Sequence, residues 1–388
     1  MRIAGLFAGI GGIERGFQRA LGEDNVTTEL LCENWGPALA VLRKRFEPAA
    51  WHEDVRDLRR LPRRLDVLTL GFPCTDLSQA GRTAGISGEQ SGLVTSALEL
   101  IRDAKANAPA WLLIENVANM LALGGGEAMA YLVEELEALD YRWAYRVVDS
   151  RFTGVPQRRR RVIIVASRDG DPRDVLLTDD VGEATEQYRD DAFGFYWTEG
   201  VRGLGWAQDA VPTLKGGSTL GIPSPPAVWV THGDPTRSLI VPSIEDAEAM
   251  QGFPRGWTRP AETTRGKGPR WKLVGNAVTV GVAEWVARRL ASPGQWAGEG
   301  EVWEPRGAWP TAAYGQDGKV VRVSVSEFPT RTKHKHLLDV VNAQAAQPLS
   351  PRGLAGFHSR LSKGNLGRYP GFRQAVAAQL AETGASTG

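Results

Sequence analysis

The sequence predicts a doubly wound α/β domain joined to a smaller, irregular second domain. Three observations lead there. Apolar, strand-like runs alternate with helical periodicity up to about residue 168. The first run ends in a glycine turn that opens a helix, Ala8-Gly-Ile-Gly-Gly-Ile13. The texture then changes: Asp169 to Asp191 is acidic and loop-like, and Val211 to Val230 is rich in Gly, Pro, Ser and Thr.

Arg2 to Phe7 reads as the first strand and Glu14 to Leu21 as the first helix. Gly9, Gly11 and Gly12 fall at their junction, where backbone N–H groups can approach a ligand. The plain alternative is a tight turn with no ligand. Thr28 to Cys32 reads as the second strand and ends in Glu33. An acid there, about 20 residues beyond the glycines, suits ribose hydroxyls. Otherwise it is a solvated capping acid ahead of the helix from Pro37 to Phe46. His52-Glu-Asp-Val55 supplies a third acid, Asp54, which either accepts from an exocyclic amine or is a loop carboxylate. Gly9 to Gly12, Glu33 and Asp54 outline a nucleoside-shaped site without naming the cofactor.

Asp66 to Leu70 reads as a buried strand running into Gly71-Phe-Pro-Cys74. Gly71 permits the turn and Pro73 stiffens the approach to Cys74. Open α/β sheets place ligands at such strand ends. Thr75, Asp76, Ser78 and Gln79 follow, then a segment with Gly81, Gly85, Gly88 and Gly92 that reads as a mobile lid. This pattern suggests a nucleophilic thiol. The bland alternative is a small core residue.

Leu93 to Lys105 has helical periodicity. Trp111 to Ile114 reads as a strand ending in Glu115-Asn-Val117. A glutamate directly after an apolar run is costly unless it borders a site. Glu127 to Leu139 reads as a helix and Trp143 to Val148 as a strand. Gln157-Arg-Arg-Arg-Arg161 then enters Val162 to Val165. Such a run is usually a solvated face. Strand alternation, however, places Gln157, Arg159 and Arg161 on one side, toward the cleft of Cys74 and Glu115. Further on, Ile244 to Met250 reads as a short helix, and Gly275-Asn-Ala-Val278 precedes a helix from Val280 to Leu290. Val302 to Thr332 has strand-like runs, and Gly353 to Arg373 mixes basic and aromatic residues.

A length of 388 residues with 42% hydrophobic content suits two domains. A net charge of +1 gives no global polyanion signature, so any nucleic-acid surface is a local patch. The two cysteines, Cys32 and Cys74, imply no disulfide framework and a reducing setting. No signal-peptide pattern is seen, and no apolar stretch approaches the ~20 residues that span a bilayer. The expectation is a soluble, intracellular protein. Of five histidines, only His52 lies in the part that looks catalytic, and no Cys/His cluster has zinc spacing. No metal is expected.

Taken in order, these motifs resemble the cytosine-5 DNA methyltransferases. Phe7-Ala-Gly-Ile-Gly-Gly12 resembles the family's first motif and Gly71-Phe-Pro-Cys74 its catalytic motif, with Ser78 in its expected place. Glu115-Asn-Val117 resembles the motif of the catalytic glutamate, and Gln157-x-Arg159-x-Arg161 the arginine motif. Arg237 to Pro254 resembles the segment that organises the recognition domain, Gly275-Asn276 begins the last motif, and Pro212-Thr-Leu214 contains the Thr-Leu pair. The resemblance covers roughly residues 1 to 291. It implies a Rossmann-like S-adenosylmethionine-dependent methyltransferase domain (1–168 plus 272–292), a target-recognition domain (169–271) and a C-terminal extension (293–388).

The implied chemistry is methyl transfer to C5 of a flipped cytosine in duplex DNA. Cys74 adds to C6 and Glu115 protonates N3, helped by partial burial. Arg161 holds O2, Arg159 or Arg161 favours the thiolate, and Gln157, Pro73 and Ser78 complete the site. Phe7, Gly9, Ile10, Gly11, Gly12, Glu33, Asp54, Val55, Asn276 and Ala277 are the implied cofactor residues. Some members carry Trp directly after the ribose-binding acid; here that place is Asn34 and the tryptophan is Trp35. Whether Trp35, or Ile10 with Val55, contacts the adenine stays open. Thr213, Leu214, Lys215, Gly216 and Gly217 are the implied DNA contacts, with a hairpin turn the alternative for the two glycines. A monomer is expected, and a partner endonuclease is not legible. Competing readings are a tRNA cytosine-5 methyltransferase, a non-catalytic DNA-binding regulator, and a dinucleotide-dependent oxidoreductase. The last leaves Cys74, Glu115 and the arginines unexplained.

Overall fold

A computed structural model describes residues 1–72, 92–182, 187–198, 203–217, 225–262, 268–304, 306–316, 318–343 and 346–383. The chain forms two compact units. The first comprises Met1–Phe152, Arg160–Ala184 and Ala277–Arg331. The second comprises Thr153–Arg159, Thr185–Asn276 and Thr332–Gly388.

The first unit is built on β1 (Arg2–Leu6), β2 (Thr27–Cys32), β3 (Ala50–His52), β4 (Val67–Leu70), β5 (Trp111–Val117) and β6 (Arg142–Asp149). A two-residue strand, β7 (Gln157–Arg158), belongs to the second unit, and β8 (Arg160–Ser167) returns to the first. Strands β1 to β5 are parallel in the order β3-β2-β1-β4-β5; β8 and β6 extend the sheet antiparallel beyond β5. The expected doubly wound order is therefore present.

Its strands read as nearly continuous apolar runs because both faces are covered. Ala4, Leu6, Leu68, Leu70, Leu112 and Ile114 join one core layer; the alternate residues Ile3, Val67 and Leu113 join the other. Helices α1 (Gly12–Leu21), α2 (Gly36–Arg45), α3 (Gly92–Ala104), α4 (Glu127–Ala138) and α5 (Pro172–Leu176) follow in the chain. Val94, Leu98, Met129 and Leu132 of α3 and α4 pack in the first layer, and Phe17 of α1 in the second.

The second unit holds a five-stranded sheet. Its strands are β9 (Ala192–Phe195), β10 (Ala207–Gln208), β12 (Ala227–Val230), β13 (Leu239–Val241) and β17 (Gln347–Pro348). The short β11 (Val211–Pro212) pairs in parallel with β7 instead. Helices α6 (Ile244–Met250) and α7 (Gly268–Asn276) follow, and α8 (Val280–Ala291) then packs on α1 in the first unit. A Cβ added at Gly16 would lie 2.5 Å from that of Ala283, so the two helices need a glycine at their crossing.

The tail corrects the expected boundaries. Residues 293–388 are divided between the units because their apolar residues complete both cores. Strands β14 (Glu301–Trp303), β15 (Ala312–Gln316) and β16 (Lys319–Arg322) continue the large sheet beyond β6, giving it ten strands. Helix α9 (Leu337–Val340) precedes β17, which pairs with β13. Helices α10 (Pro351–Lys363) and α11 (Phe372–Glu382) bury Phe357 and Phe372 against Phe195. The buried Gln379 closes β13 with a side-chain amide: it accepts from Leu239 N and donates to Leu239 O. At the other border, residues 169–182, expected in the recognition domain, sit in the first unit through α5.

Candidate active site

The glycine turn places its backbone where the sequence expected it. Gly9 and Gly11 have φ of +58° and +78°, which favours glycine. A Cβ at Gly11 would come within 2.1 Å of the Phe46 ring, whereas one at Gly9 would meet no atom of the described residues within 4 Å. So Gly11 is fixed by packing, while the described residues leave space beside Gly9. Phe7 also takes a positive φ, +59°, and its ring meets Phe72 edge-on.

Glu33, at the end of β2, ties the turn to the next connection. Its carboxylate accepts from Gly9 N at 2.8 Å and from Trp35 N at 2.9 Å. Burial raises the Glu33 carboxyl above its ordinary range against the pull of those N–H groups. Ile10 and Val55 are buried, Asn34 is exposed, and Trp35 is half-buried. Asp54 instead grips Arg56: its carboxylate accepts from Arg56 N, Nε and Nη2, and this clamp holds it below the usual carboxylate range. Open space beside Gly9 and a buried carboxylate at the second strand end fit the nucleoside half of S-adenosylmethionine.

Pro73, Cys74 and Ser78, with the rest of 73–91, lie outside the described residues. The approach to them is described. Asn116 donates from Nδ2 to the Phe72 carbonyl at 3.1 Å, and Val117 N donates back to Asn116 Oδ1. Asn116 is thus a positioning residue that the sequence reading quoted in its motif without giving it a role. Two residues that match none of the expected roles border this region. Glu14 is buried beneath β1 and β4, accepting from Thr69 Oγ1 at 3.0 Å. The other cysteine, Cys32, is buried, and its thiol is pushed up to about 12 by burial, with Glu33 and Asp54 adding to the effect. A buried thiol with so raised a pKa is a poor nucleophile.

Glu115 and Arg161 come together. Arg161 stands opposite Val117 in the antiparallel β5–β8 pair, so Glu115 is its diagonal neighbour on the same face. Arg161 Nε lies 2.9 Å from Glu115 Oε1, and both side chains are largely shielded from solvent.

Gln157 and Arg159 belong to the second unit and bond within it. The expected alternation breaks because β7 ends at Arg158 and β8 begins at Arg160. Gln157 is fully buried; its amide donates to Met250 O and Gln251 Oε1 and accepts from Leu214 N. Arg159 Nη1 donates to Leu214 O and Gly275 O. These two residues hold the Thr213–Gly217 loop. Leu214 is buried, with its N–H and carbonyl both engaged, so it anchors the loop. Thr213 Oγ1 donates to Arg158 O, and Lys215 Nζ sits 4.0 Å over the Tyr196 ring.

Gly216 and Gly275 are sites of close approach. A Cβ at Gly275 would lie 2.2 Å from the Lys215 carbonyl carbon, and one at Gly216 2.2 Å from Asn276 Oδ1. Asn276, expected at the cofactor, therefore lies against the recognition loop. Ala277 is buried, and Gly217 has a φ of +137°.

Known proteins agree with this geometry. Residues 1–193 match the family model for C-5 cytosine-specific DNA methylase. The chain is 44% identical over 379 residues to the Type II methyltransferase M2.BsuMI of Bacillus subtilis (strain 168), covering 94% of each chain. It is 27% identical to the Type II methyltransferase M.Bsp6I of Bacillus sp. (strain RFL6), covering 75% of this chain and 98% of that one. Its fold is similar to the crystal structure of the S. pombe Dnmt2 methyltransferase: TM-score 0.55 and 16% identity, over 75% of this chain and 98% of the other. With its glycine turn, its Glu115–Arg161 pair and a relative this similar along almost its whole length, the chain belongs to the C-5 cytosine-specific DNA methylases.

Proposed function

We propose that this methyltransferase modifies C5 of a flipped cytosine within a short duplex DNA site through a covalent Cys74–C6 adduct. The observation that carries the reading is the Glu115–Arg161 pair: Glu115 stands one residue beyond the last β4–β5 pairing, Leu70 with Ile114, and next to Asn116, which bonds the Phe72 carbonyl. Cytosine C5 is a poor nucleophile. Addition of the Cys74 sulfur to C6 breaks the ring's aromaticity and turns C5 into an enamine carbon. Glu115 delivers a proton at N3 as negative charge builds there, and Arg161 donates to O2. S-adenosylmethionine, held by the Phe7–Gly12 turn, Glu33, Ile10 and Val55, supplies an electrophilic methyl group. Loss of the C5 proton and of the C6–sulfur bond then restores the aromatic ring. A stacked base cannot reach such a site, so the cytosine leaves the helix.

The loop at Thr213–Gly217, anchored by Gln157 and Arg159, supports DNA reading by the second unit, with Lys215 as the loop's cation. The Type II relatives support a partner endonuclease with the same site, and the enzyme is proposed to act as a monomer. No helix among the described residues is long and apolar enough to cross a membrane, which agrees with action on intracellular DNA. Labelled methyl incorporation into duplex DNA and into tRNA, followed by bisulfite sequencing, tests the reading. Site-specific 5-methylcytosine in duplex DNA is expected; incorporation confined to tRNA, or none, would reject it.

A further inference from the structure

Asp209 ends the turn between β10 and β11 and is completely buried. Its carboxylate accepts from Leu337 N at 2.7 Å and Arg189 N at 3.0 Å. Among the described residues its side-chain partners are the imidazoles of His334 and His336; no lysine or arginine side chain offsets the charge. A buried carboxylate without a cation is costly. His334 Nε2 lies 3.3 Å and His336 Nδ1 2.6 Å from the same oxygen, Asp209 Oδ2. These atoms all lie within 4.8 Å of one another, with the two rings nearly perpendicular.

We propose that Asp209, His334 and His336 bind a divalent transition metal, with zinc the best match for two imidazoles and one carboxylate. Ligands bonded at about 2.0–2.2 Å around a tetrahedral ion sit about 3.3 Å apart. The Asp209–His334 separation already has that value; His334 Nε2, which donates to the Asp209 carbonyl at 3.1 Å, would turn its lone pair to the ion by moving that proton to Nδ1. His336 needs only to draw back, and it is the ring with an exposed edge through which an ion and a water ligand enter. His334 is buried, and among the described residues its Nδ1 has no hydrogen-bond partner. The ion would clasp the segment after Arg331 to the turn just ahead of the Thr213–Gly217 loop. Asp209 lies 125 residues before His334 and 127 before His336, so the three-ligand set forms no local motif in the sequence.

Untagged full-length protein, incubated with zinc and dialysed against metal-free buffer, should retain one equivalent by elemental analysis. Cobalt should give the visible absorption of a tetrahedral site, and zinc should raise the Tm. His336→Gln, at the exposed edge, should keep its circular dichroism and lose the equivalent, the cobalt spectrum and the Tm shift. Asp209→Asn should do the same if it folds. Wild-type protein that retains no stoichiometric metal, or a folded His336→Gln protein that retains as much as wild type, would overturn the assignment.

Discussion

Arg161 lies 2.9 Å from Glu115 across the antiparallel β5–β8 pair, where each shields the other from solvent. One strand supplies the carboxyl group and its neighbour the guanidinium, which is the pairing the proposed mechanism needs at a pyrimidine edge. Glu115→Gln should retain the fold and lower methyl transfer by about 10²–10⁴-fold, the range for a positioned acid. Arg161→Ala should also lower transfer and leave Glu115 without its cation. Single-turnover methylation with circular dichroism checks both; near-normal turnover in Glu115→Gln contradicts the assigned role.

Asn116 controls the approach to Cys74 from outside the chemistry. Asn116→Leu removes the donor to the Phe72 carbonyl and should cost about 1–3 kcal/mol of stability. Because it shifts the backbone leading to Cys74, kcat should fall while S-adenosylmethionine affinity is largely kept. Urea unfolding, cofactor titration and turnover separate these effects.

Glu14 predicts a pH dependence of stability. Burial pushes its carboxyl up to about 7 from an ordinary value of 4.5, opposed by its own backbone bond and by Thr69. Below the ordinary value both folded and unfolded chains hold the proton, and the contribution is fully present. As pH rises toward 7, the unfolded chain releases the proton while the folded chain retains it, and that contribution is lost. The loss is about 3 kcal/mol. Urea unfolding at pH 4.5 and 8 should show wild type losing that much more than Glu14→Gln; identical losses contradict the burial argument.

Arg270 and Glu248 form a fully buried ion pair at 2.9 Å, and Glu248 also accepts from Gly256 N and Thr258 N. Arg270→Ala strands the carboxylate and should cost about 3–5 kcal/mol. Thermal and urea unfolding check this, and a change under 1 kcal/mol would contradict it.

The Gly275–Lys215 approach predicts an effect on DNA recognition. Gly275→Ala forces a Cβ onto the Lys215 backbone, at an overpacking cost of about 1–3 kcal/mol. It should weaken DNA binding more than S-adenosylmethionine binding. Parallel titrations with duplex and cofactor test this.

The first unit was legible because its signals are local. Continuous apolar runs, a glycine turn at a strand end and Glu33 after β2 all sit within short stretches of chain. The Glu115–Arg161 pair was anticipated because alternation in β8 puts Arg161 on a predictable face. The break between β7 and β8, which puts Arg159 in the second unit and Arg161 in the first, leaves no mark within the charge run. The tail was misread for a related reason. Strands β14 to β16 and helices α10 and α11 complete cores begun more than 100 residues earlier, and such pairings carry no local pattern. The Asp209–His334–His336 cluster is invisible to spacing on the same grounds.

The central claim is most directly tested with a duplex carrying 5-fluorocytosine at the target position, incubated with the enzyme and S-adenosylmethionine. Fluorine at C5 cannot leave as a proton does, so the adduct should persist as a denaturation-resistant complex, and Cys74→Ala should abolish it. A stable adduct in Cys74→Ala, or undiminished methylation by that variant, would contradict the account.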